Sequence, residues 1–367
     1  MPPDNHLTLA VAGSRKTQGI VDACAAADPT DRILILTYTN ANQAELRERL
    51  ATHAGDHLEV EVSGWFSFLI AHFVRPFLPY AFRGHRVLGF DNDSQPQQYT
   101  KIDARERYLT DDGHVRKVHL PQLAHRIEEA SGQAGIRRLE RIYDRIFIDE
   151  VQDLCGYDLE ILKLLMASNL PIEMVGDVRQ AILATNQQER KNQKYMYLGI
   201  WDWFRQEEKS GRLTITQRSE TWRCHPEIAA FADTIFAPSW GFAPTTSHNQ
   251  TTTEHDGVHQ VEPADVDAYI TRYSPLVLRH SGASAKEYDH LEPMNFGISK
   301  GMTRQRVLIL PTTPIKKFLK NGTHLEARPA ASFYVAVTRA EQSVAIVLGP
   351  GQGPSLPTWK PTTPTLR

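Results

Sequence analysis

Two adjacent carboxylates, Asp149 and Glu150, follow directly after a short apolar run, Ile146–Ile148. The β-forming residues of this run predict a buried strand, and open parallel α/β sheets bind their ligands at the carboxyl ends of strands. Neighbouring carboxylates repel each other and resist burial unless a cation or a reaction uses them. We therefore expect Asp149 to hold Mg²⁺ through its water shell and Glu150 to accept a proton from an attacking water. The alternative is a solvated acidic turn, but the whole stretch, DEVQD, with Gln152 and Asp153, favours nucleotide hydrolysis.

A phosphate-binding loop is predicted near the start of the chain. The apolar run 7–12 indicates a buried strand, and the stretch GSRKTQ separates it from a helical pattern. In a strand–loop–helix unit of this kind, backbone N–H groups and the helix N-terminus face an anion. Lys16 is then expected to contact the β- and γ-phosphates of ATP, and the Thr17 hydroxyl to ligate Mg²⁺. Gly13 and Ser14 are expected to line the loop.

The composition is that of a soluble globular protein large enough for two domains, with 367 residues, 41% of them hydrophobic and 23% charged. No apolar run is long enough to span a membrane, so a cytoplasmic location and no membrane partner are expected. The net charge of −2 gives no overall attraction to nucleic acid, and any contact with it requires a local basic groove. Cys24, Cys155 and Cys224 lack metal-ligand spacing and are predicted to be buried thiols.

The DEVQD stretch resembles the Walker B motif of the UvrD/Rep-like superfamily 1 helicases, and other segments resemble further motifs of that family in the family's order. The phosphate loop is similar to the family pattern AxxGxGKT but differs from it at Arg15. A glycine at that position normally lets the backbone approach the phosphates. Two outcomes are expected: either Arg15 is directed outward and the loop still functions, or the loop binds ATP weakly.

The resemblance assigns three more side chains to ATP hydrolysis and one to the base. VGDVRQAI resembles motif III, in which Gln180 senses the γ-phosphate. WRCHPEIAAFA resembles motif IV, in which Arg223 reaches the γ-phosphate and Trp222 stacks on adenine. Arg218 is the competing alignment for the arginine, and a core position is the alternative for Trp222. YVAVTRA resembles motif VI, in which Arg339 acts as an arginine finger, whereas a plain helix start is the alternative.

The resemblance also assigns contacts with single-stranded DNA to a helix start, an aromatic segment and the SKG stretch of motif V. These contacts are assigned to Thr37, Thr39, Asn40, Trp65, Phe66, Ser299 and Lys300. A helix cap is the other reading of the threonines and Asn40, and both roles can hold at once. Most aromatic rings at helical spacing are equally consistent with the core. Gly301, which follows Lys300, is assigned to the nucleotide site.

The fold implied by the resemblance is α/β, with two RecA-like (P-loop NTPase) domains, parallel sheets and ATP between them. We expect a first domain over 1–208, with a small helical insertion at about 70–138 that is a reduced form of the family's 1B insertion. A second domain is expected over 209–349 and a disordered tail, rich in Pro, Thr and Gly, over 350–367. Too few residues separate motifs IV and V for the family's 2B domain, so its absence is expected.

The function implied by the resemblance is an ATP-dependent translocase or helicase that acts on single-stranded or partly duplex DNA. The short insertions and Arg15 leave an alternative open, an ATP-gated DNA-sensing subunit that activates a partner nuclease, as in compact UvrD-like proteins of antiviral defence. A non-hydrolysing DNA-binding protein is disfavoured because Lys16, Glu150 and Arg339 are all present.

Overall fold

The short apolar runs of the sequence form the strands of two sheets. The computed structural model describes residues 5–55, 57, 59–186, 189–353 and 356–361. The chain divides into two compact units. The first comprises the residues up to Leu9, then Lys16–Gly176 and Ala184–Thr216, and the second comprises Ala10–Arg15, Asp177–Leu183 and the residues from Gln217 onward.

The strands of the first half of the chain form one six-stranded sheet and one separate pair. They are β1 (His6–Ala10), β2 (Ile33–Thr37), β3 (Val60–Gly64), β4 (Gly89–Asp91), β5 (His114–Arg116), β6 (Arg145–Ile148), β7 (Ile172–Gly176) and β8 (Thr214–Arg218). The sheet has the order β3-β2-β6-β7-β1-β8, and β4 pairs with β5. Because β1, β2, β3, β6 and β7 run parallel, the residues that follow them lie at the same edge of the sheet.

Amphipathic helices connect these strands. They are α1 (Lys16–Ala26), α2 (Asn40–His53), α3 (Trp65–Phe68), α4 (Arg75–Ala81), α5 (Leu120–Ser131), α6 (Ala134–Ile142), α7 (Asp158–Met166) and α8 (Ile200–Lys209). A π-helical segment, Leu69–Val74, joins α3 to α4. Apolar side chains of α1 and α2, among them Ile20 and Leu46, pack on Ile35 and Phe147 of the sheet. This packing fixes the start of α1 relative to the end of β6.

The second half of the chain forms another six-stranded sheet and a second short pair. Its strands are β9 (Glu220–Thr221), β10 (Thr246–Ser247), β11 (Gly257–Val261), β12 (Leu276–Arg279), β13 (Met294–Asn295), β14 (Arg304–Leu310), β15 (Ala340–Val347) and β16 (Thr358–Trp359). The sheet has the order β13-β12-β14-β15-β11-β16, and its neighbouring strands pair in parallel. Its helices are α9 (Pro226–Thr234), α10 (Val266–Tyr273), α11 (Thr313–Asn321) and α12 (Ala327–Val337). The predicted α/β class with two parallel sheets is confirmed.

The end of the chain differs from the disordered tail expected over 350–367. Thr358 and Trp359 form β16 and pair with Gln260 and Val261 of β11. The Trp359 indole packs edge-on against Tyr269, with 5.1 Å between ring centroids, and this apolar contact is the physical reason for the added strand. Residues 354, 355 and 362–367 of the predicted tail lie outside the described residues.

The three cysteines are buried free thiols, as predicted. Within the described part of the chain, no helix is long and apolar enough to cross a membrane.

Candidate functional site

The predicted catalytic carboxylates of the first unit face the start of α1. The Lys16 ammonium lies 3.0 Å from a Glu150 carboxylate oxygen, and both side chains are about 15% exposed. The Thr17 hydroxyl donates to an Asp149 oxygen at 3.4 Å. Asp149 continues the ladder of β6, since its N–H donates to the Leu36 carbonyl oxygen at 2.8 Å. The sequence-predicted residues of this unit are therefore within contact distance of one another.

Asp149 and Glu150 are held in an unfavourable electrostatic and conformational state. Burial, followed by the Glu150 carboxylate, raises the pKa of Asp149 above its ordinary value, and Lys16 opposes that shift. Glu150 has a φ of 55°, a left-handed conformation that is uncommon for residues with a side chain. The Gln152 amide also donates to Glu150. Local strain of this kind concentrates at functional sites.

Asp149 and Thr17 are the residues of this group that could hold Mg²⁺ beside a phosphate. Magnesium is usually held by one or two carboxylates together with phosphate oxygens and water. Asp149, which is 3% exposed, and the Thr17 hydroxyl supply two oxygen ligands at one position. Burial raises the pKa of Asp149, and a divalent cation bound beside it would favour its charged form.

The phosphate loop, Ala10–Arg15, is grouped with the second unit, where its backbone is tied to the start of motif IV. The Thr221 hydroxyl donates to the Ala12 carbonyl oxygen at 2.7 Å, and the Trp222 N–H donates to the Gly13 carbonyl oxygen at 3.1 Å. Gly13 has a φ of +76°, and a Cβ there would lie 2.5 Å from the Arg223 Cβ. A glycine is therefore required at position 13 both by its conformation and by the close approach of this strand.

The loop also contains a buried polar atom that fits a ligand. Ser14 is 1% exposed, and its hydroxyl has no hydrogen-bond partner among the described residues. Buried hydroxyls are normally satisfied, so an unmatched one is evidence for a group that binds there. A phosphate oxygen is the matching acceptor.

The Arg15 side chain is directed outward, as in the first of the two expected outcomes; whether the loop functions is a separate question that ATP binding answers. Its φ is 58°, which is the left-handed conformation that a glycine at this position would adopt at lower cost. The side chain is exposed, and its guanidinium lies 4.8 Å from the centre of the Trp222 ring. The side chain is thus directed away from the loop and onto an aromatic ring.

Trp222 is a half-buried residue with stacked neighbours, so it is not a core aromatic. The His248 ring stacks on it with 4.9 Å between centroids and 25° between planes. The Arg218 guanidinium also lies above the ring, at 6.0 Å. The two arginines that compete in the alignment of motif IV therefore have different partners: Arg218 contacts the Trp222 ring, whereas Arg223 donates to the Thr338 carbonyl oxygen at 3.2 Å.

Gln180 and Arg339 belong to one buried polar network of the second unit. The Arg339 guanidinium donates to the Gln180 side-chain oxygen at 3.0 Å and to the carbonyl oxygens of Val335 and Met302, at 2.9 and 3.2 Å. The Gln180 amide donates to Asp177 at 2.8 Å. Burial, and next the charge of Arg223, lowers the pKa of Arg339 to about 10. Arg339 is 1% exposed, so a direct phosphate contact requires it to leave some of these acceptors.

Sequence reasoning missed two members of this network, Arg179 and Tyr334. Arg179 is 4% exposed, donates to Asp233 at 3.0 Å, and lies 4.9 Å above the Tyr334 ring. The Tyr334 hydroxyl donates to Asp177 at 3.3 Å and accepts from the Ala12 N–H at 3.4 Å. The network thereby connects motif III and motif VI to the phosphate loop. Arg179 lies between Asp177 and Gln180 in the sequence, and this position within motif III could have identified it as a member of the network.

The residues assigned to DNA by the resemblance differ in exposure. Asn40 is exposed at the start of α2, and Thr39 caps that helix by accepting from the Asn42 N–H at 3.1 Å. Thr37 is 2% exposed, and its hydroxyl has no partner among the described residues. The cap interpretation is therefore correct for Thr39, and Asn40 is the residue of this group best placed for an external ligand.

Two more of the residues assigned to DNA, Trp65 and Ser299, are buried like Thr37. Trp65 is 2% exposed, and its indole N–H donates to the buried Asp158 carboxylate at 2.6 Å, so its faces are not available to a base. Ser299 is fully buried, and its hydroxyl donates to the Phe296 carbonyl oxygen at 2.8 Å. Its hydroxyl stabilises the local turn. Lys300 is half-buried, and Gly301 is exposed with a φ of +88°.

Phe66, which was assigned to DNA, lies beside Tyr38, Phe90 and Lys117, which the sequence did not indicate. Its half-buried ring is 5.7 Å from that of Tyr38 and 6.2 Å from that of Phe90. The Lys117 ammonium lies 5.1 Å from the centre of the Phe66 ring. Rings beside a cation are the usual platform for a single-stranded nucleic acid.

Comparison with known proteins gives one family match. Residues 85–192 match the UvrD/REP helicase N-terminal domain, a stretch that contains Asp149, Glu150, Asp177 and Gln180 but not the phosphate loop. No curated protein matches the chain.

Solved helicase structures align with this chain at low identity and with TM-scores below 0.5. The PRRSV helicase gives a TM-score of 0.46 and 17% identity over 96% of this chain and 54% of that chain. The Arterivirus nonstructural protein 10 helicase gives a TM-score of 0.46 and 14% identity over 94% of this chain and 59% of that chain. Its complex with DNA gives a TM-score of 0.48 and 15% identity over 96% of this chain and 63% of that chain. The chain therefore spans less than two thirds of the length of each. The match over residues 85–192 shows that this stretch is similar to the UvrD/REP helicase N-terminal domain.

Proposed function

We propose that this protein is an ATP-dependent DNA translocase or helicase of the UvrD type. The observation that carries the proposal is the pairing of Lys16 with Glu150 at 3.0 Å beside Thr17 and Asp149. A phosphate-binding ammonium, a general base and two oxygen ligands for Mg²⁺ are thereby assembled at the start of one helix and the end of one strand.

The Lys16–Glu150 pair implies an order of events. Without a nucleotide, the Lys16 ammonium neutralises the Glu150 carboxylate and holds it in an ion pair. When the β- and γ-phosphates of ATP bind Lys16, the ammonium is shared with a stronger anion. Glu150 then becomes available to accept the proton of the water that attacks the γ-phosphorus in line. Mg²⁺, held by Thr17 and Asp149, would contribute neutralisation of phosphate charge.

The second unit supplies residues proposed for binding and for charge compensation. Gly13 and Ser14 are proposed to hold phosphate oxygens through the backbone and through the unmatched Ser14 hydroxyl. We propose that Arg223 contacts the γ-phosphate directly. Arg339 acts by fixing the Gln180 side-chain oxygen, to which it donates at 3.0 Å.

Two further roles concern the base and the DNA. Trp222 is proposed to stack on adenine and Gly301 to leave space for the nucleotide, since nothing lies within 4 Å of a Cβ built there. We propose that single-stranded DNA contacts Asn40, Phe66 and Lys300 on exposed or half-buried surface.

The test separates binding from hydrolysis. Glu150→Gln is expected to retain ATP affinity and to lose turnover by 100-fold or more, on the order of the usual effect of a positioned general base. Lys16→Ala is expected to lose affinity as well. The matched control is Glu48→Gln, an exposed glutamate on α2 with the same charge change. Turnover by Glu150→Gln that equals that of the control would contradict the assignment of the base.

Strand separation distinguishes the motor from its alternative. A helicase separates a partly duplex oligonucleotide in an ATP-dependent manner, and the wild-type protein is expected to do so. The ATP-gated regulatory subunit predicts ATP turnover without strand separation.

A further inference from the structure

An arginine-rich surface lies on α6. Arg137, Arg138 and Arg141 are exposed on this helix. Together with Phe77, Ala134 and Ile142 they line a pocket of about 410 Å³. The pocket thus combines an apolar floor with three guanidinium groups. We call these six residues the α6 pocket.

Glu128 offsets only part of the positive charge of the α6 pocket: burial raises the pKa of its carboxyl, and the charge of Arg137 opposes that shift. Glu140, on the same helix, accepts from the backbone and side chain of Asn169 at 2.9 and 3.0 Å. Glu128 is buried and accepts from the N–H groups of Gly135 and Ile136. Asp144 is paired with Arg32 at 2.8 Å. In the part of the chain that the structure describes, no carboxylate pairs with the three arginines of the pocket.

The pocket lies at the opposite edge of the first sheet from the carboxylate pair. Helix α6 ends at Ile142 and leads directly into β6, which begins at Arg145 and ends at Ile148 before Asp149. A strand of four residues spans about 13 Å at ~3.3 Å per residue. The α6 pocket is therefore a separate site and not part of the candidate nucleotide site.

The chemistry of the pocket fits a nucleic-acid strand. Guanidinium groups bind phosphates through paired N–H donors, and this suits Arg better than Lys. Arg137 is held ready by the carbonyl oxygens of Gly132 and Ser131 at the end of α5. The half-buried Phe77 ring, beside the 61% exposed Tyr80 at 6.4 Å, offers aromatic faces for bases.

We propose that the α6 pocket is a second binding site for single-stranded nucleic acid, with phosphates on the three arginines and a base against Phe77. A nucleic-acid strand matches both features, because its phosphates suit the guanidinium groups and its bases suit the Phe77 ring. The inference rests on the proposed function in that DNA is the polymer on which the protein acts. A site at this edge would hold the strand at a second point, away from the ATP-hydrolysing residues.

The test replaces the three arginines by glutamine and compares the triple variant with a matched control. On α11, Lys316, Lys317 and Lys320 are exposed and have the same spacing, so Lys316→Gln/Lys317→Gln/Lys320→Gln changes the charge equally. Anisotropy of a labelled single-stranded oligonucleotide is measured over a range of salt concentrations. The plot of log affinity against log salt is expected to become less steep by about 2 for the arginine variant, from three phosphates at ~0.7 each. The control is expected to retain the wild-type slope.

The base contact is tested with Phe77→Leu, which keeps an apolar side chain and removes the ring. It is expected to weaken binding of a base-bearing strand more than binding of an abasic strand of equal length. An unchanged salt slope in the arginine variant, or equal slopes in both triple variants, overturns the proposal. A glutamate-rich peptide that binds wild type but not the arginine variant, without any effect on the oligonucleotide, overturns it in favour of a protein partner. If the protein does not hydrolyse ATP but the salt slopes of the two triple variants still differ, the proposed function is refuted and the binding site on α6 is retained.

Discussion

Arg15 is the one departure in the phosphate loop, and replacing it tests how the loop and the base site are coupled. In Arg15→Gly, the left-handed conformation at φ 58° no longer carries a side chain, which removes roughly 1–2 kcal/mol of strain. The variant loses the cation–π contact with Trp222, worth about 0.5–1 kcal/mol at an exposed site. The unfolded state of the variant also gains conformational entropy, which lowers the free energy of unfolding by about 0.5–1 kcal/mol. The free energy of unfolding is therefore expected to stay within about 1 kcal/mol of wild type.

Arg15→Gly is expected to bind ATP more tightly, although the loss of a cation by itself would weaken the binding of an anion. Arg15 occupies part of the Trp222 ring on which adenine is proposed to stack, so a base must displace it. Removing that competition gains the same 0.5–1 kcal/mol, which corresponds to ATP binding about 2- to 5-fold tighter. Arg15→Ala is expected to gain a similar factor, but it keeps the left-handed strain and is less stable than Arg15→Gly.

The assays are calorimetric titration with ATP and equilibrium unfolding in urea. Gln133→Gly is the strain control, because Gln133 also has a positive φ, of 65°, and contacts no residue assigned to the nucleotide. It is expected to leave ATP affinity unchanged. Weaker ATP binding in both Arg15 variants would refute the reasoning, since Arg15 would then be a ligand of the nucleotide and not its competitor.

Three further outcomes are expected. Gly13→Ala should lose more than about 2 kcal/mol of stability, because the added Cβ lies 2.5 Å from the Arg223 Cβ at a positive φ, and an unaltered urea midpoint contradicts this. Arg339→Lys should cost roughly 2–4 kcal/mol, because one ammonium cannot replace the guanidinium contacts to Val335, Met302 and Gln180; an unchanged melting temperature is the opposing result. Burial raises the pKa of Asp158 to about 6, so its stabilising contribution is present below pH 4 and is lost as the pH rises through 6. Between pH 4 and 7, wild type should therefore lose stability relative to Asp158→Asn by at most about 3 kcal/mol, and parallel pH profiles refute this assignment.

The elements that position the proposed catalytic carboxylates were predictable because their signals are local. A run of β-forming residues that ends in acids predicts a strand whose carboxyl end bears them, and β6 ends at Ile148 before Asp149. The Lys-Thr pair after an apolar strand likewise predicts the start of α1, which begins at Lys16. Each of these features depends on fewer than about ten consecutive residues, which single-sequence patterns describe well.

The features that the sequence did not reveal depend on residues far apart in the chain. Trp65 is taken out of the DNA surface by Asp158, a buried acid 93 positions away. Trp222 is stacked by His248, which lies in a segment without any motif. The strand β16 has only two residues, and its register depends on the Trp359 contact with Tyr269. Neither periodicity nor residue type encodes such pairings, which tertiary packing decides.

The central claim is that ATP hydrolysis at Lys16, Thr17, Asp149 and Glu150 drives movement on DNA. Its most direct test is the steady-state rate of phosphate release with and without single-stranded DNA, for wild type, Glu150→Gln and Glu48→Gln. The expected result is turnover that DNA stimulates in wild type and in Glu48→Gln, and that Glu150→Gln abolishes. Turnover that is equal in all three proteins, or unaffected by DNA, would contradict the account.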